Sequence, residues 1–382
     1  MDFFDRYHNL KARLAPFRLR TDYETVKTVA AIDALADRAD VIHYGNIPGG
    51  KILDNPVGID ENNLFSRALA HLEALERGEF PLLGKFTEPG ISLADHSFFE
   101  KDGLLHLFYN RGFVGYDWPE RSVELIGHAV TENLTDWKIL PPAVSVTAGQ
   151  HDSFSVWSPC VLEKDGQYYM FYTGVNRNIA QATCLAVSDD LIRWNKVKEN
   201  PVYRPGDWAP WGEDRWSDCR DCFILKEGSR YYQYFCTTAY TDGEHTRNAV
   251  GIASSADLIH WQDECRFLPK GCAHMPESPF VIRRGARFYL FYTNCGQGTC
   301  YAVADNPLGP WEERGLLIGD PQHTGDLAHV PSCSEVFCFC GRWYISFATR
   351  LPGNEQYLEL MDFFWNEDGT VSVGEKVVRP VK

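Results

Sequence analysis

The segment SPFVIRRGARFYLFYT, from Ser278 to Thr293, decides the fold because the chain contains five versions of it. Each version has a short apolar run, a charged turn that contains Gly, and an aromatic-rich run, the pattern of two β-strands joined by a tight hairpin. The other versions are HSFFEKDGLLHLFYN from His96, SPCVLEKDGQYYMFYT from Ser158, CFILKEGSRYYQYFCT from Cys222 and CSEVFCFCGRWYISFAT from Cys333. Such self-similarity predicts repeated structural units.

The turn glycines recur at a nearly constant spacing, and a further strand-like run that leads to a Trp follows each hairpin. The glycines are Gly103, Gly166, Gly228, Gly285 and Gly341, and the tryptophans are Trp137, Trp194, Trp261, Trp311 and, less regularly, Trp365. A fourth strand fits between these units, and no helical periodicity follows residue 95. The pattern therefore predicts an all-β fold, a five-bladed β-propeller, and argues against an α/β barrel.

Residues 1–85 differ in kind and predict a small N-terminal helical extension ahead of a propeller over residues 86–382. Asp60 is placed to cap a helix that ends near Gly78, and a second helix is expected from about Tyr23 to Ala39. The apolar positions of the capped helix are Phe65, Ala68, Leu69, Leu72 and Leu75. The extension would cover one flank of the propeller, or else form an oligomer contact or close the active site.

The composition excludes several function classes. There are 37 Lys and Arg against 52 Asp and Glu, a net charge of −15, so a surface that neutralises nucleic-acid phosphates is not expected. No uncharged apolar run approaches the roughly 18 residues of a membrane span, and MDFFDRYHNL lacks the pattern of a secretory signal. We expect a soluble cytoplasmic protein without a nucleic-acid or membrane partner.

The 12 cysteines all follow residue 159. In a cytoplasmic protein they should be reduced thiols, mostly buried as small apolar groups. The single CxxC, Cys219 with Cys222, lacks a second pair of ligands at the spacing of a zinc site, which needs four. We therefore expect structural thiols and no metal bound by this motif.

Three acidic residues stand at comparable positions ahead of the turn glycines: Asp95, Asp221 and Glu277. Counted in the same way, Ser158 and Ser334 take this position in the second and fifth units. Because the innermost strand of each propeller blade starts beside the central axis, we expect these side chains to converge on one funnel.

Acids held close in a partly desolvated pocket have pKa values that are pushed apart, so one can donate a proton while another stays ionised. This arrangement is typical of glycoside hydrolysis, in which two carboxyl groups flank the bond that breaks. Each acid taken alone could equally be a solvated residue at a strand end. The presence of three in one register favours a site.

The hairpin repeats, the S-x-D-L-x-x-W blade endings and the sequences LADHSF, CRDCF and MPESPF resemble the five-bladed propeller glycoside hydrolases of families 43 and 32. The likeness covers residues 86–382. It implies that Asp95 is a general base, as in family 43, or a nucleophile, as in family 32. It also implies that Asp221 tunes a pKa or stabilises the transition state, and that Glu277 is the general acid.

The motifs divide between the two families. VWSP, which contains Trp157, resembles the second blade of family 43, and the W-x-N-D-P-N-G motif of family 32 is absent. CRDCF resembles the R-D-P of family 32, with Cys222 in place of proline, and His96 likewise replaces the proline that usually follows the first-blade acid. The balance of these motifs favours family 43.

Further residues are candidates for substrate binding: His96, Trp157, Ser158, Arg220 and His329. Trp157 could form an aromatic platform for a sugar ring or pack in the core. Arg220 could pair with Asp221, bond a sugar hydroxyl or lie on the surface. His329, in AHVPS, resembles a fifth-blade His that lies near a bound calcium or water in some family 43 enzymes, and a core histidine is the alternative.

Asp152 and Asp218 could be subsite residues or play no part in the site. We expect no organic cofactor, whereas the family 43 resemblance allows a structural calcium near the axis. The acidic surface suits a neutral sugar as the partner, either an oligosaccharide or a small glycoside.

These observations predict a glycoside hydrolase that acts on a furanose or pentose unit, of the arabinofuranosidase or xylosidase type and inverting. Glu277 would protonate the leaving oxygen, Asp95 would activate water, and Asp221 would orient the acid and hold its pKa. Three alternatives stay open. They are a retaining fructan-acting β-fructosidase with Asp95 as nucleophile, a non-catalytic glycan-binding propeller, and a phosphorolytic enzyme that would need cations such as Arg177 and Arg215 by the site.

Overall fold

The structure is a computed structural model, and it describes residues 2–45, 61–113, 123–270, 272, 275–294, 296–320, 330–351 and 355–381. The N-terminal part is helical, with α1 (Phe3–Leu14), a 3-10 helix (Ala15–Leu19), α2 (Tyr23–Gly45) and α3 (Glu61–Glu76). The remaining described elements are β-strands, of which the first is β1 (Lys85–Phe86).

Five antiparallel sheets follow one another along the chain and form the blades. Blade 1 contains β2 (Ile91–Ser92), β3 (His96–Lys101), β4 (Leu104–Phe113), β5 (Leu125–Thr131) and β6 (Lys138–Ser145). Blade 2 contains β7 (Ser155–Lys164), β8 (Gln167–Val175), β9 (Gln181–Ser188) and β10 (Asn195–Lys196). Blade 3 contains β11 (Cys219–Glu227), β12 (Arg230–Tyr240), β13 (Thr246–Ser255) and β14 (Trp261–Phe267).

Blade 4 contains β15 (Pro276–Arg284), β16 (Arg287–Asn294), β17 (Gly298–Ala304) and β18 (Glu312–Gly319). Blade 5 contains β19 (Ser332–Phe339), β20 (Arg342–Leu351), β21 (Glu355–Trp365) and β22 (Val371–Lys376). The innermost strands β3, β7, β11, β15 and β19 contact one another in sequence, and β19 contacts β3, so the blades form a closed ring. The predicted five-bladed all-β fold is confirmed.

Strands from both ends of the propeller complete blade 5. β1 pairs antiparallel with β21, with Lys85 opposite Glu359 and Phe86 opposite Leu358. β22 pairs with a different part of β21. The short N-terminal strand therefore joins the last blade and closes the ring, so that β21 is not left with an open edge there.

The blade endings that lead to Trp form one repeated turn. Leu134, Leu191 and Leu258 have positive φ. In each case the indole N–H of the Trp three residues later donates to the carbonyl of that Leu, at 3.2, 3.0 and 3.2 Å. The aromatic ring thus satisfies the backbone of its own turn while it packs between blades.

The helical extension has a hydrophobic core of its own and is attached to blade 5. Leu10, Ile32, Phe65 and Leu72 are among the buried residues of that core. His71 Nε2 lies 2.9 Å from the Tyr357 hydroxyl on β21. α2 is longer than the helix expected from Tyr23 to Ala39, α1 was not anticipated, and the expected cap Asp60 lies outside the described residues.

The described cysteines are all free thiols, and six of the eleven are buried, including Cys219 and Cys222. Both residues of the CxxC lie in the hydrophobic core between blades 2 and 3. No helix among the described residues has the length and apolar character needed to cross a bilayer.

Three buried histidines in the propeller are held neutral. His106 Nδ1 and His128 Nε2 lie 2.9 Å apart, and their rings stack between blades 1 and 2. Burial lowers the pKa of His128 to about 3, and burial also lowers the pKa of His106. Burial lowers the pKa of His96 to about 4. These groups favour folding only while they are unprotonated.

We predict that acid destabilises the propeller through this histidine pair. Below pH 6.5 the unfolded chain protonates its histidines while the folded chain keeps them neutral, so the free energy of unfolding falls as pH falls, by at most about 1.4 kcal/mol per pH unit for each histidine. The double variant His106→Phe/His128→Leu should show a shallower loss of Tm between pH 7 and pH 4.5. The exposed His8→Gln is the control, and equal slopes in all three proteins would contradict the prediction.

Candidate active site

Each blade places one equivalent residue beside the central axis. In two of the five blades this residue is not the one predicted from the sequence. The hairpin turns have Gly second in blades 1, 2 and 5, after Asp102, Asp165 and Cys340, but first in blades 3 and 4. Positions counted back from the turn Gly therefore differ by one residue between blades 1, 2 and 5 on the one hand and blades 3 and 4 on the other. The equivalent residues are Asp95, Ser158, Asp221, Ser278 and Cys333.

The predicted equivalence of Glu277 and Ser334 with Asp95 is therefore wrong by one residue. Glu277 precedes the axial position and corresponds to Trp157 and Arg220 in the neighbouring blades. It still reaches the site because the pairing of β15 with β16 shifts between Glu277 and Phe280, a β-bulge next to the axis.

The bulge recurs at the start of four innermost strands. Ser158, Asp221, Ser278 and Cys333 have φ of 50, 56, 48 and 56°, a left-handed conformation that is uncommon outside Gly. Such strain persists only where surrounding contacts fix it, and it concentrates at functional sites. The register shifts beside all four residues.

A side chain near the end of one blade's second strand holds the bulge of the next blade. The Ser158 N–H donates to Asn110 Oδ1 at 2.6 Å, and the Asp221 N–H donates to Thr173 Oγ1 at 3.0 Å. The Cys333 N–H donates to Thr293 Oγ1 at 2.8 Å. Asn and Thr end the repeated hairpin segments in the sequence, and these contacts explain why.

Hydrogen bonds fix two of the three acids at the axis. Asp95 Oδ1 accepts from the Ser278 hydroxyl at 2.5 Å, and its Oδ2 accepts from Asn110 Nδ2 at 2.9 Å. Asp221 Oδ1 accepts from the Ser158 hydroxyl at 2.7 Å, and its Oδ2 accepts from the Ser278 N–H at 3.1 Å. Ser278 therefore connects both carboxyl groups, and the predicted convergence of acids from blades 1, 3 and 4 is observed.

Arg220 is the cation in the centre of this acidic group. Its guanidinium lies 2.6 Å from Glu277 Oε1, 2.5 Å from Asp218 Oδ1 and 3.7 Å from Asp221 Oδ2. The side chain is only 12% exposed, so these pairs are poorly screened by water. Arg220 lines the pocket, and its partners include Glu277 and Asp218 besides Asp221, whereas its contact with substrate stays a prediction.

Burial is the main cause of an altered protonation state at Asp221. It raises the pKa of Asp221 to about 8, the nearby charge of Asp95 adds to the effect, and Arg220 opposes it. These effects favour the protonated form of Asp221 more than in an exposed aspartate. Acids in different environments at one site are the condition for dividing acid and base roles between them.

The acids open into a pocket of about 200 Å³. Its walls carry both charged and aromatic groups, which suits a ligand with hydroxyl groups and apolar faces. The lining residues are Ala94, Asp95, Asn110, Trp157, Gln181, Trp216, Arg220, Asp221, Glu277, Ser278, Ser332, Cys333 and Gln356. Trp157 lies in the pocket wall, and it also packs against Val123 and Val175.

Two residues predicted to bind substrate lie beneath the pocket instead. His96 Nδ1 lies 3.0 Å from the Ala94 carbonyl and its Nε2 lies 2.7 Å from Ser346 Oγ, so both nitrogens are occupied. Ser158 is 5% exposed and donates its hydroxyl to Asp221. Both line a narrow axial cavity below the acids. Ser158 contacts the Asp221 carboxyl group directly, whereas His96 is the residue that follows Asp95 in the chain.

The structure places Asp152 and Asp218, the two remaining acidic candidates, in different surroundings. Asp152 is buried and paired with Lys196, and it accepts from Tyr172 at 2.9 Å, so it anchors a loop to blade 2. Asp218 belongs to the site through Arg220. His329 lies outside the described residues.

The expectation of a calcium near the axis rests on His329, which lies outside the described residues. Calcium takes six to eight oxygen ligands, and no group of three or more His, Cys, Asp or Glu side chains with metal-binding geometry occurs in the described part of the chain. Glu335, the acid of the lower cavity, accepts instead from the Phe98 N–H at 2.8 Å.

Several site residues were missed from the sequence. Trp216 lies in the loop before β11, and its indole donates to Asp218 Oδ1 at 3.1 Å. Gln181 Oε1 accepts from Arg220 at 3.3 Å. Glu335 lies below the acids, and burial raises its pKa to about 8. Asn110 also lines the pocket. Its position could have been found from the sequence, because Asn110 ends its repeated segment where Thr ends the other four.

Two family profiles match the chain. The first, described as Glycosyl hydrolases family 32 N-terminal domain, matches residues 95–294, and the second, Glycosyl hydrolases family 43, matches residues 217–378. The first match contains Asp95, Asp221 and Glu277, and the second contains the last two. The resemblance to both families is confirmed.

Curated relatives match a shorter part of the chain. An acid β-fructofuranosidase 1, vacuolar, from a Rosa hybrid cultivar is 37% identical over 110 residues, which is 27% of this chain and 18% of that protein. A 6(G)-fructosyltransferase from Asparagus officinalis is 36% identical over 111 residues, with coverage of 27% and 18%. The match therefore spans about a fifth of the length of each relative.

Solved structures share the fold. A thermostable family 43 glycoside hydrolase aligns with a TM-score of 0.59 and 18% identity, covering 76% of this chain and 96% of its own. A Bombyx mori family 32 β-fructofuranosidase aligns with a TM-score of 0.54 and 17% identity, covering 76% and 64%. Since the family 32 profile matches more than half of the chain, the protein belongs to the family 32 glycosyl hydrolases.

Proposed function

We propose that the protein hydrolyses the bond to a terminal fructofuranosyl residue with retention of configuration. The observation that carries this proposal is the family 32 match over residues 95–294, because that one segment supplies Asp95, Asp221 and Glu277, which meet at the axis. Relatives named β-fructofuranosidase and fructosyltransferase add support. The small pocket suits a single terminal ring better than the interior of a long chain.

In this mechanism Asp95 attacks the anomeric carbon while Glu277 protonates the leaving oxygen, so the glycosidic bond breaks and a fructosyl ester forms. Glu277 then takes a proton from water, which attacks the anomeric carbon, releases fructose and restores the Asp95 carboxylate. The bonds from Ser278 and Asn110 hold Asp95 in place for attack. Asp221, buried beneath, would bind sugar hydroxyls and stabilise the transition state.

A second candidate is hydrolysis of an arabinofuranosyl or xylosyl bond with inversion, in which Asp95 would deprotonate water. The family 43 match over residues 217–378 favours it, as do the VWSP motif and the absent W-x-N-D-P-N-G. Phosphorolysis has less support because neither Arg177 nor Arg215 is among the described residues that line the pocket, and Arg220 already contacts three acids.

We predict that Asp95→Asn and Glu277→Gln each lower kcat on sucrose at least 10³-fold with unchanged Tm, because each removes a reacting group. The exposed Asp305→Asn is the control and should retain full activity. Wild-type protein incubated with sucrose and methanol should form methyl β-D-fructofuranoside, as NMR would show. Activity on nitrophenyl arabinofuranoside or xyloside without methanol transfer, and none on sucrose, would instead support the second candidate.

We also predict that Asp221→Asn stabilises the protein at alkaline pH while it abolishes activity. The folded pKa of about 8 lies above the unfolded value of about 3.9, so ionisation of the unfolded chain costs the native state stability progressively as pH rises between these values. Asn avoids that loss.

Differential scanning fluorimetry should therefore show equal Tm values for wild type and Asp221→Asn at pH 4, and a higher Tm for the variant at pH 8. Asp305→Asn should follow the wild type at both pH values. A variant that is less stable than wild type at pH 8 would show that Asp221 is ionised in the native state.

A further inference from the structure

The pocket residues lie at graded depths. Asp221 is 7% exposed and Trp157 9%, the Glu277 side chain is 26% exposed, and Trp216 is 49% exposed. Trp216 is more exposed than any other Trp among the described residues, and it lines the pocket. An aromatic ring left half in water at a polar pocket mouth is a feature that ligand binding can explain, since such a ring normally buries most of its surface.

We propose that Trp216 is the platform for the sugar on the leaving-group side of the bond. This inference rests on the proposed hydrolysis, because the depth order then follows the substrate. The reacting ring lies against Asp95, Asp221 and Trp157 at the base, and Glu277 reaches the glycosidic oxygen at intermediate depth. The departing ring lies further out, at the level of Trp216.

The indole is anchored to the same network that holds the acid. Trp216 Nε1 donates to Asp218 Oδ1 at 3.1 Å, and Asp218 Oδ2 accepts from Thr238 Oγ1 at 3.1 Å. Asp218 also pairs with Arg220, which contacts Glu277 at 2.6 Å. The platform and the residue that protonates the leaving oxygen are thus held by two linked ion pairs, which keeps the leaving sugar and the acid in a fixed relation.

The loop that carries Trp216 is tied down on the side facing blade 2. The Ser217 hydroxyl donates to the Gly212 carbonyl at 2.8 Å, and the Gly212 N–H donates to Ser217 Oγ at 2.9 Å. The Gln181 N–H donates to the Ser217 carbonyl at 3.0 Å, and Trp211 Nε1 donates to the Gln181 carbonyl at 2.7 Å. A ring fixed before binding loses little conformational freedom when a sugar stacks on it.

The mouth of the pocket offers an apolar ring surface among ion pairs. Asp218 and Glu277 flank the indole network, and Glu213 and Asp214 belong to the same loop as Trp216. Each of these carboxylates pairs with an arginine, namely Arg220, Arg204 or Arg215. The apolar face of a hexose or pentose can pack on the indole between them. A leaving group without a ring gains nothing from this contact.

The test compares sucrose, whose leaving group is a glucose ring, with methyl β-D-fructofuranoside, whose leaving group is methanol. Trp216→Ala should lower kcat/KM for sucrose about five- to tenfold, the value of one aromatic stacking contact, and change the methyl glycoside less than twofold. Trp216→Phe keeps an apolar ring and should retain at least half of the sucrose activity. Phe364→Ala, an exposed aromatic on β21, is the matched control and should match wild type.

Equal losses on both substrates, or a shift of the pH profile in Trp216→Ala, would show that Trp216 acts through Asp218 and Arg220 and would overturn the platform. An unchanged sucrose kcat/KM would overturn it as well. If the wild type hydrolyses neither substrate, the proposed fructosidase activity fails, and calorimetric titration with 1-kestose and xylotriose decides the platform separately. Weaker binding by Trp216→Ala would support it, whereas equal binding, or none by the wild type, would overturn it.

Discussion

The structure depends on one repeated interaction, in which the N–H of a left-handed bulge residue is bonded by the blade before it. Asn110, Thr173 and Thr293 accept these bonds from Ser158, Asp221 and Cys333. A buried N–H without a partner costs about 1–3 kcal/mol, and a left-handed non-Gly residue adds strain. Each blade therefore stabilises the strained axial residue of the next. Between blades 3 and 4 the acceptor is Asp221 itself, whose Oδ2 accepts from the Ser278 N–H. One carboxyl oxygen therefore belongs both to the site and to the contact between two blades.

This construction sets the electrostatics of the site. The packed blades bury Asp221 at the axis, so its carboxyl group loses most of its solvation. Burial raises the pKa of Asp221, and Arg220 compensates the charge of Asp218 and Glu277. An isolated buried carboxylate would be costly, whereas one cation among several acids supports a charged site in a low-dielectric cavity. The ion pair with Arg220 stabilises the Glu277 carboxylate in the pocket and also fixes its position.

The repeated hairpins were enough to predict the propeller, the number of blades and the blades that carry acids, because strand alternation and turn chemistry are local properties. The exact register was not predictable in the same way, since Gly stands first in some two-residue turns and second in others, as Gly228 and Gly103 show. Trp216 was missed because it lies in an irregular loop, where no periodicity indicates which side chain faces the pocket. The contact of His96 with Ser346 was not predictable because it joins residues far apart in the chain.

The bulge also explains why residues that are adjacent in the sequence can line the same pocket. In a regular strand neighbouring side chains point to opposite faces, so Arg220 and Asp221, or Glu277 and Ser278, could not both serve one pocket. A bulge places two residues against one on the partner strand and breaks the alternation. Both members of each pair then line the same cavity. A single backbone device, repeated by the blades, therefore lets two consecutive residues serve as an outer and an inner layer of the site, with Arg220 and Glu277 above Asp221 and Ser278.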